Sequence, residues 1–299
     1  MANKWILFAW VLTIALAGCS ETTEIPETGV SKNLAERRKA NISNITYDLS
    51  FDIPEDASQP IGGQESITFR MKEPMKQLAL DFDVPDSLLH EVKVDGNKVP
   101  FDFINEHILV RGEHLQTGKN TIQITFTAGD LSLNRNPEYL YTLFVPDRAS
   151  TAFPCFDQPD MKASWKLSLE IPSKWEALTN GALQSRKDTA GRSYLQFTET
   201  RPISTYLFAF AAGDFKKITQ TRDGVTINLY HRESDTARFN RNREKAFDLH
   251  FNALQWLEDY TSIPYPFGKF DFIAIPSFQY SGMEHPGATY YRASRIYLD

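Results

Sequence analysis

The sequence predicts a two-part chain: an antiparallel β domain, sandwich-like or saddle-shaped, over residues 44–231, then a second domain opening on a helix over residues 232–299. Three observations carry this. Apolar and polar residues alternate with period two in many short runs before residue 231. Gly, Pro and Asn punctuate those runs, and a helical period sets in only after Thr236. A chain of 299 residues, 41% hydrophobic and 23% charged, has room for two such domains.

Lys4 precedes an apolar run from Trp5 to Ala17, too short to span a bilayer but suited to the core of a signal peptide. Leu16-Ala17-Gly18-Cys19 then reads as a lipobox, so residues 1–19 are expected to be a lipoprotein signal with Cys19 as the lipidated residue. The polar stretch 20–43 is expected to be a linker. This places the mature protein in the cell envelope, tethered to a membrane on the side away from the cytoplasm. Asn41-Ile42-Ser43 and Asn44-Ile45-Thr46 match the glycosylation pattern by chance in such a lipoprotein.

The first strand runs from Asn44 to Ile53, with Ile45, Tyr47, Leu49, Phe51 and Ile53 on one face and Thr46, Asp48, Ser50 and Asp52 on the other. Similar alternation recurs at Ile67 to Met71 and at Leu78 to Phe82. It flanks Asp95-Gly96, a hairpin-turn signal between Val92, Val94 and Val99, Phe101, Phe103. Ile122 to Phe126, Trp165 to Ile171, Leu195 and Phe197, Tyr206 to Ala212 and Val225 to His231 complete the series. After Thr236, read as an N-cap, Phe239, Arg243, Ala246, Phe247, Phe251, Leu254 and Leu257 fall largely on one helical face.

Net charge is −6, and no basic run exceeds Arg37-Arg38-Lys39, which excludes a nucleic-acid footprint. With two cysteines, one of them Cys19, no structural disulfide is expected. Cys155 has no neighbouring His in sequence and reads as a small buried hydrophobe rather than a nucleophile.

One stretch is built to present a carboxylate. In Ser281-Gly282-Met283-Glu284-His285-Pro286-Gly287, Glu284 is the sole charge between Asp271 and Arg292, Gly282 permits close backbone approach, and Pro286-Gly287 keeps the chain non-helical. Such a carboxylate can receive a cation. Gly282, Met283 and Glu284 resemble the glycine-x-methionine-glutamate-asparagine signature of the zinc aminopeptidase N family, with His285 in the place of Asn. Pro154-Cys155-Phe156-Asp157-Gln158-Pro159 resembles that family's proline-cysteine-phenylalanine-aspartate-glutamate-proline segment, with Gln158 for Glu. With Pro264-Tyr265-Pro266-Phe267-Gly268-Lys269-Phe270-Asp271, the resemblance covers roughly residues 45–299.

The resemblance implies an N-terminal β domain followed by the start of an α+β, thermolysin-like metallopeptidase domain that hydrolyses N-terminal residues from peptides. It implies Glu284 as the group that binds the substrate's free α-ammonium, Gly282 as the close-approach backbone beside it, and His285 as a source of pH dependence near neutrality. Met283 reads equally as a wall of the first specificity pocket or as core filler, and Tyr290, Tyr291 and Arg292 as core or pocket lining. The family's second amine contact falls on Val145, an apolar residue, so that contact is expected to be missing.

Zinc is the implied cofactor, held in the family by an HExxH helix and a later Glu. The six histidines, His90, His107, His114, His231, His250 and His285, include no pair at the HExxH spacing. The zinc ligands are therefore expected beyond residue 299, and the sequence is expected to be the N-terminal part of the enzyme. Peptides with a free N-terminus and a membrane are the expected partners, and nucleic acid is not. The alternative is a non-catalytic, membrane-anchored lipoprotein that binds peptides or another partner through the same loop.

Overall fold

A computed structural model describes residues 25–298 and is mostly β. The predicted signal peptide and Cys19 lie outside the described residues. An eight-stranded sheet runs, edge to edge, Leu183–Thr189, Arg192–Phe197, Ala163–Pro172, Ile42–Asp52, Gly62–Met71, Gly118–Thr127, Leu89–Val94 and Asn97–Lys98. Its pairings are antiparallel except one: Ile42–Asp52 runs parallel to Ala163–Pro172, so Tyr47 lies opposite Trp165 and their rings stack at 4.2 Å. Smaller sheets of three and four strands accompany it. At the Asp95-Gly96 turn both residues have positive φ, 47° and 83°, as the hairpin signal requires.

The expected linker is not one throughout. Ser31 caps a helix, Lys32–Asn41, by accepting from the Leu34 N–H, and the helix buries Leu34 and Arg38. Its sequence hides it, because a single leucine gives no apolar stripe and the buried face is a guanidinium. Arg38 donates to both carboxylate oxygens of Asp81, at 2.8 and 2.6 Å, and to the Ala79 carbonyl at 2.8 Å. His107 Nδ1 stands 2.9 Å from Asp81 Oδ1. Its Nε2 reaches the carbonyls of Glu27 and Gly29 at 3.0 and 3.1 Å, holding the arm that leads into the helix. Acceptors near both nitrogens favour the charged form of the ring. Burial opposes that charge, but the Asp81 carboxylate and the Glu27 carbonyl raise the His107 pKa.

The segment around Cys155 belongs to this network. Cys155 exchanges both backbone hydrogen bonds with Asp81, and the Asp157 N–H donates to Asp81 Oδ2 at 2.8 Å. Gln158 donates to the Ala35 carbonyl near the helix end. Cys155 is fully buried, and burial pushes its thiol well above the usual range, so it fills space as the sequence suggested.

One core position breaks the alternation. Glu65 lies on the inward face of Gly62–Met71, 4% exposed, between Leu49 and Ile124 of the neighbouring strands. Neither carboxyl oxygen has a hydrogen-bond partner among the described residues, and burial raises its pKa well above the ordinary Glu range. The folded state therefore holds a proton that the unfolded chain releases, and stability falls as pH rises from the unfolded-state pKa toward the folded one. Glu65→Gln is expected to remove this dependence. Its stability advantage over the parent grows with pH by about 1.4 kcal/mol per unit within that window, read from paired thermal unfolding curves between pH 5 and 9. Parallel curves for the two proteins would refute it.

The expected boundary at residue 232 falls just after a hairpin that pairs outside the eight-stranded sheet. The hairpin of Lys216–Arg222 and Val225–His231 is hydrogen-bonded into a five-stranded sheet, followed in order by Asp271–Ile275, Ala288–Arg292 and Gly282–Met283. The long helix Thr236–Thr261 packs on it through Phe239, Ala246, Phe247, His250 and Leu254. Its N-cap is Asp235 rather than Thr236: the Asp235 carboxylate accepts from the Arg238 N–H at 2.9 Å. Leu257, expected on the buried face, is exposed, as are Leu249, Trp256 and Tyr260.

Candidate functional site

The carboxylate loop grows out of the edge of the five-stranded sheet. The apolar run Asp271–Ile275 forms a fully buried central strand, and Gly282–Met283 pairs antiparallel with Ala288–Arg292 at the margin. The Arg292 N–H donates to the Ser281 carbonyl, and Gly282 and Met283 face Tyr291 and Tyr290. Because backbone groups alternate along such a pair, those of Met283 face the sheet while those of Gly282 face the open edge. That edge can add an extended peptide as a further strand.

Side chains alternate as well. Met283 is 8% exposed and packs with Tyr139, Tyr141 and Leu178 of the β domain and with Ile273 and Tyr290 of the second part. Of its two expected readings, core filler is the one observed. Glu284 faces outward, exposed, with no ion-pair partner among the described residues. Gly282 has an ordinary φ, and a Cβ there would come within 3.2 Å of the Tyr291 ring. Glycine thus serves the close seating of the strand on Tyr291. Tyr290 is fully buried, and Tyr291 is half-buried with its hydroxyl 3.2 Å from His250 Nε2. Arg292 donates to the carbonyls of Phe278 and Gln279, closing the loop before Gly282. All three therefore support the strand.

The loop's far side is pinned from both parts of the chain. Asn180, at the end of the β-domain strand Glu176–Thr179, donates to the Pro286 carbonyl at 2.9 Å. The Gly287 N–H donates to the Tyr265 hydroxyl at 2.8 Å, and Lys269, paired with Asp271 at 3.0 Å, donates to the Gly287 carbonyl. Burial lowers the Lys269 pKa against the opposing pull of Asp271. Sequence reasoning passed over Asn180, since a lone Asn after a strand reads as a turn residue.

His285 departs from expectation. Its ring is 1% exposed and stands edge to face with Tyr290, centroids 4.7 Å apart. Burial pushes its pKa down to about 3, with the Leu207 carbonyl as the opposing influence. It therefore stays neutral through the physiological range, and the pH dependence near neutrality expected of it is withdrawn. Val145 is half-buried against the same cluster that holds Met283, so the structure does bring these two segments together, but with an apolar group at Val145.

The remaining histidines serve local structure. His250 donates from Nδ1 to the Ala246 carbonyl at 2.7 Å, and His231 stacks on Phe239 at 4.0 Å. Among the described residues no group of three or more His, Cys, Asp or Glu is placed to hold a metal ion. The described residues do not fit a zinc site, and what the site offers is a carboxylate beside a strand edge.

Residues 43–207 match the Peptidase M1 N-terminal domain and residues 245–299 the Peptidase family M1 domain. The chain is 31% identical over 273 residues to Aminopeptidase N of Lactobacillus helveticus, covering 85% of this chain and 30% of that protein. It is 38% identical over 160 residues to Endoplasmic reticulum aminopeptidase 1 of Rattus norvegicus, covering 53% of this chain and 17% of that one. To Aminopeptidase M1-B of Oryza sativa subsp. japonica it is 28% identical over 295 residues, covering 88% and 32%. The chain thus spans a third or less of the length of these relatives.

Proposed function

Since the chain belongs to peptidase family M1, we propose that it supplies the β domain and the substrate-amine loop of a zinc-dependent aminopeptidase that removes N-terminal residues from peptides. The observation that carries this is the exposed, unpaired Glu284 at the open end of an edge strand whose neighbours are immobilised. A peptide adding along this edge would pair its backbone with the outward groups of Gly282. Its α-ammonium would reach the Glu284 carboxylate, a charge-assisted contact contributing about 1.5–3 kcal/mol. A fixed carboxylate measures the distance from the N-terminus, which makes the reaction exopeptidic: a blocked or internal amine leaves the charge unpaired.

Zinc held by chain outside the described residues would supply the Lewis acid and the activated water. Cys19 is proposed to carry lipid and tether the enzyme to a membrane in the cell envelope. The test is made on the full-length protein. Aminoacyl reporters with a free amine are expected to be cleaved and acetylated ones not, with activity lost on chelation and restored by zinc. A full-length protein that binds peptide N-termini tightly but cleaves none would establish the non-catalytic binding lipoprotein instead.

A further inference from the structure

We infer that Asn180 is a positioning residue for the reaction, the point at which the β domain sets where the amine-binding carboxylate stands; this rests on Glu284 being the amine anchor. Glu284 has no side-chain partner of its own among the described residues, so its place is set by the backbone on either side of it. On one side Met283 is embedded in the core shared by the two parts. On the other, two residues on, the Pro286 carbonyl accepts from Asn180.

Asn180 is built for this task. It is 4% exposed, and each of its amide atoms is committed. Nδ2 donates to the Leu207 carbonyl at 2.9 Å as well as to Pro286, and Oδ1 accepts from the Ala209 N–H at 2.8 Å. The Leu207 and Ala209 bonds lock the amide within the β domain and fix its orientation, and the Pro286 bond is the one that crosses to the loop. The main chain adds a steric stop. Gly287 has a φ of 73°, and a Cβ there would lie 2.5 Å from the Asn180 carbonyl oxygen, so the loop is seated on Asn180 more closely than any other residue would permit. His285 completes the seat, its buried ring lying under the influence of the same Leu207 carbonyl that Asn180 holds. The loop therefore cannot shift without displacing a buried amide that belongs to the other domain, and a displacement on the order of 1 Å at a substrate-positioning group is enough to cost a large fraction of the rate.

The test is a double-mutant cycle in the full-length enzyme, with Asn180→Ala, Glu284→Ala and the pair, assayed on a free-amine aminoacyl reporter. Asn180→Ala is expected to raise KM about tenfold with a smaller change in kcat, and to change KM by less than about twofold once Glu284 is already alanine. Asn180→Asp, which keeps the acceptor for Ala209 and loses both donors, carries the same test if the alanine variant does not fold, and thermal unfolding of each variant is measured alongside. A KM effect of the same size in both backgrounds would show that Asn180 acts on folding or on another contact, and would overturn the positioning role alone. If Glu284→Ala by itself left the kinetics unchanged, the amine-anchor reading would fall, and this inference with it.

Discussion

Replacing Glu284 with alanine in the full-length enzyme is expected to lower kcat/KM for free-amine peptides by about 10- to 150-fold, the equivalent of a lost charge-assisted hydrogen bond of about 1.5–3 kcal/mol. Glu284→Gln should fall between, since it keeps the shape and one acceptor but not the charge. Folding should be nearly untouched: Glu284 is exposed and unpaired among the described residues, and surface substitutions of this kind change stability by less than about 0.5 kcal/mol. The measurement is steady-state kinetics beside thermal unfolding. Two results would sink the amine-anchor role: unchanged kinetics in the alanine variant, or an unmutated enzyme that cuts acetylated and free peptides equally well.

The second large effect lies far from the loop. Arg38→Met would leave the Asp81 carboxylate, 4% exposed, without its bidentate partner, and removing one member of a buried ion pair costs about 3–5 kcal/mol. Burial by itself would raise the Asp81 carboxyl, but the Arg38 guanidinium and the His107 ring outweigh it and hold it below the usual carboxylate range. A depressed folded-state pKa contributes stability that is present above the unfolded-state value and is lost as pH falls through the folded-state one. The parent should therefore lose this contribution in acid, and Arg38→Met, whose Asp81 lacks that support, should show a smaller loss over the same range. The unfolding midpoint of the variant at neutral pH is expected well below the parent's. A difference equivalent to less than about 1 kcal/mol would mean that the pair stabilises no more than a surface bridge.

Much of the candidate site was legible because its chemistry is written in consecutive residues. Gly282 to His285 spells a turn after a buried strand, and the alternation from Asn44 to Phe126 announces strands whose inward faces are the core observed. What failed did so where the deciding partner is distant in sequence. Residues 32–41 read as linker, since a helix whose buried face is an arginine carries no apolar period, and the Asp81 that accepts it is 43 residues away. The hairpin ending at His231 read as the close of the β domain, since alternation tells which face of a strand is buried but not which sheet it joins. His285 read as a titrating group, since exposure is a property of the packed interface around Tyr290 and not of the residue.

The sequence alone determined the kind of chain this is: strand periodicity, the helix beginning near Thr236, the buried Cys155 segment and the carboxylate of Glu284, because each depends on local spacing and residue chemistry. Tertiary structure alone decided which groups are neutral, paired or free. Burial favours the protonated form of Glu65, Arg38 and His107 pair with Asp81, and Asn180 reaches across to Pro286, because burial and partners 26 to 106 residues apart set those energies. The open edge of Gly282–Met283 belongs to the same class: strand order is a property of the assembled sheet, and it is what leaves Glu284 next to an edge strand.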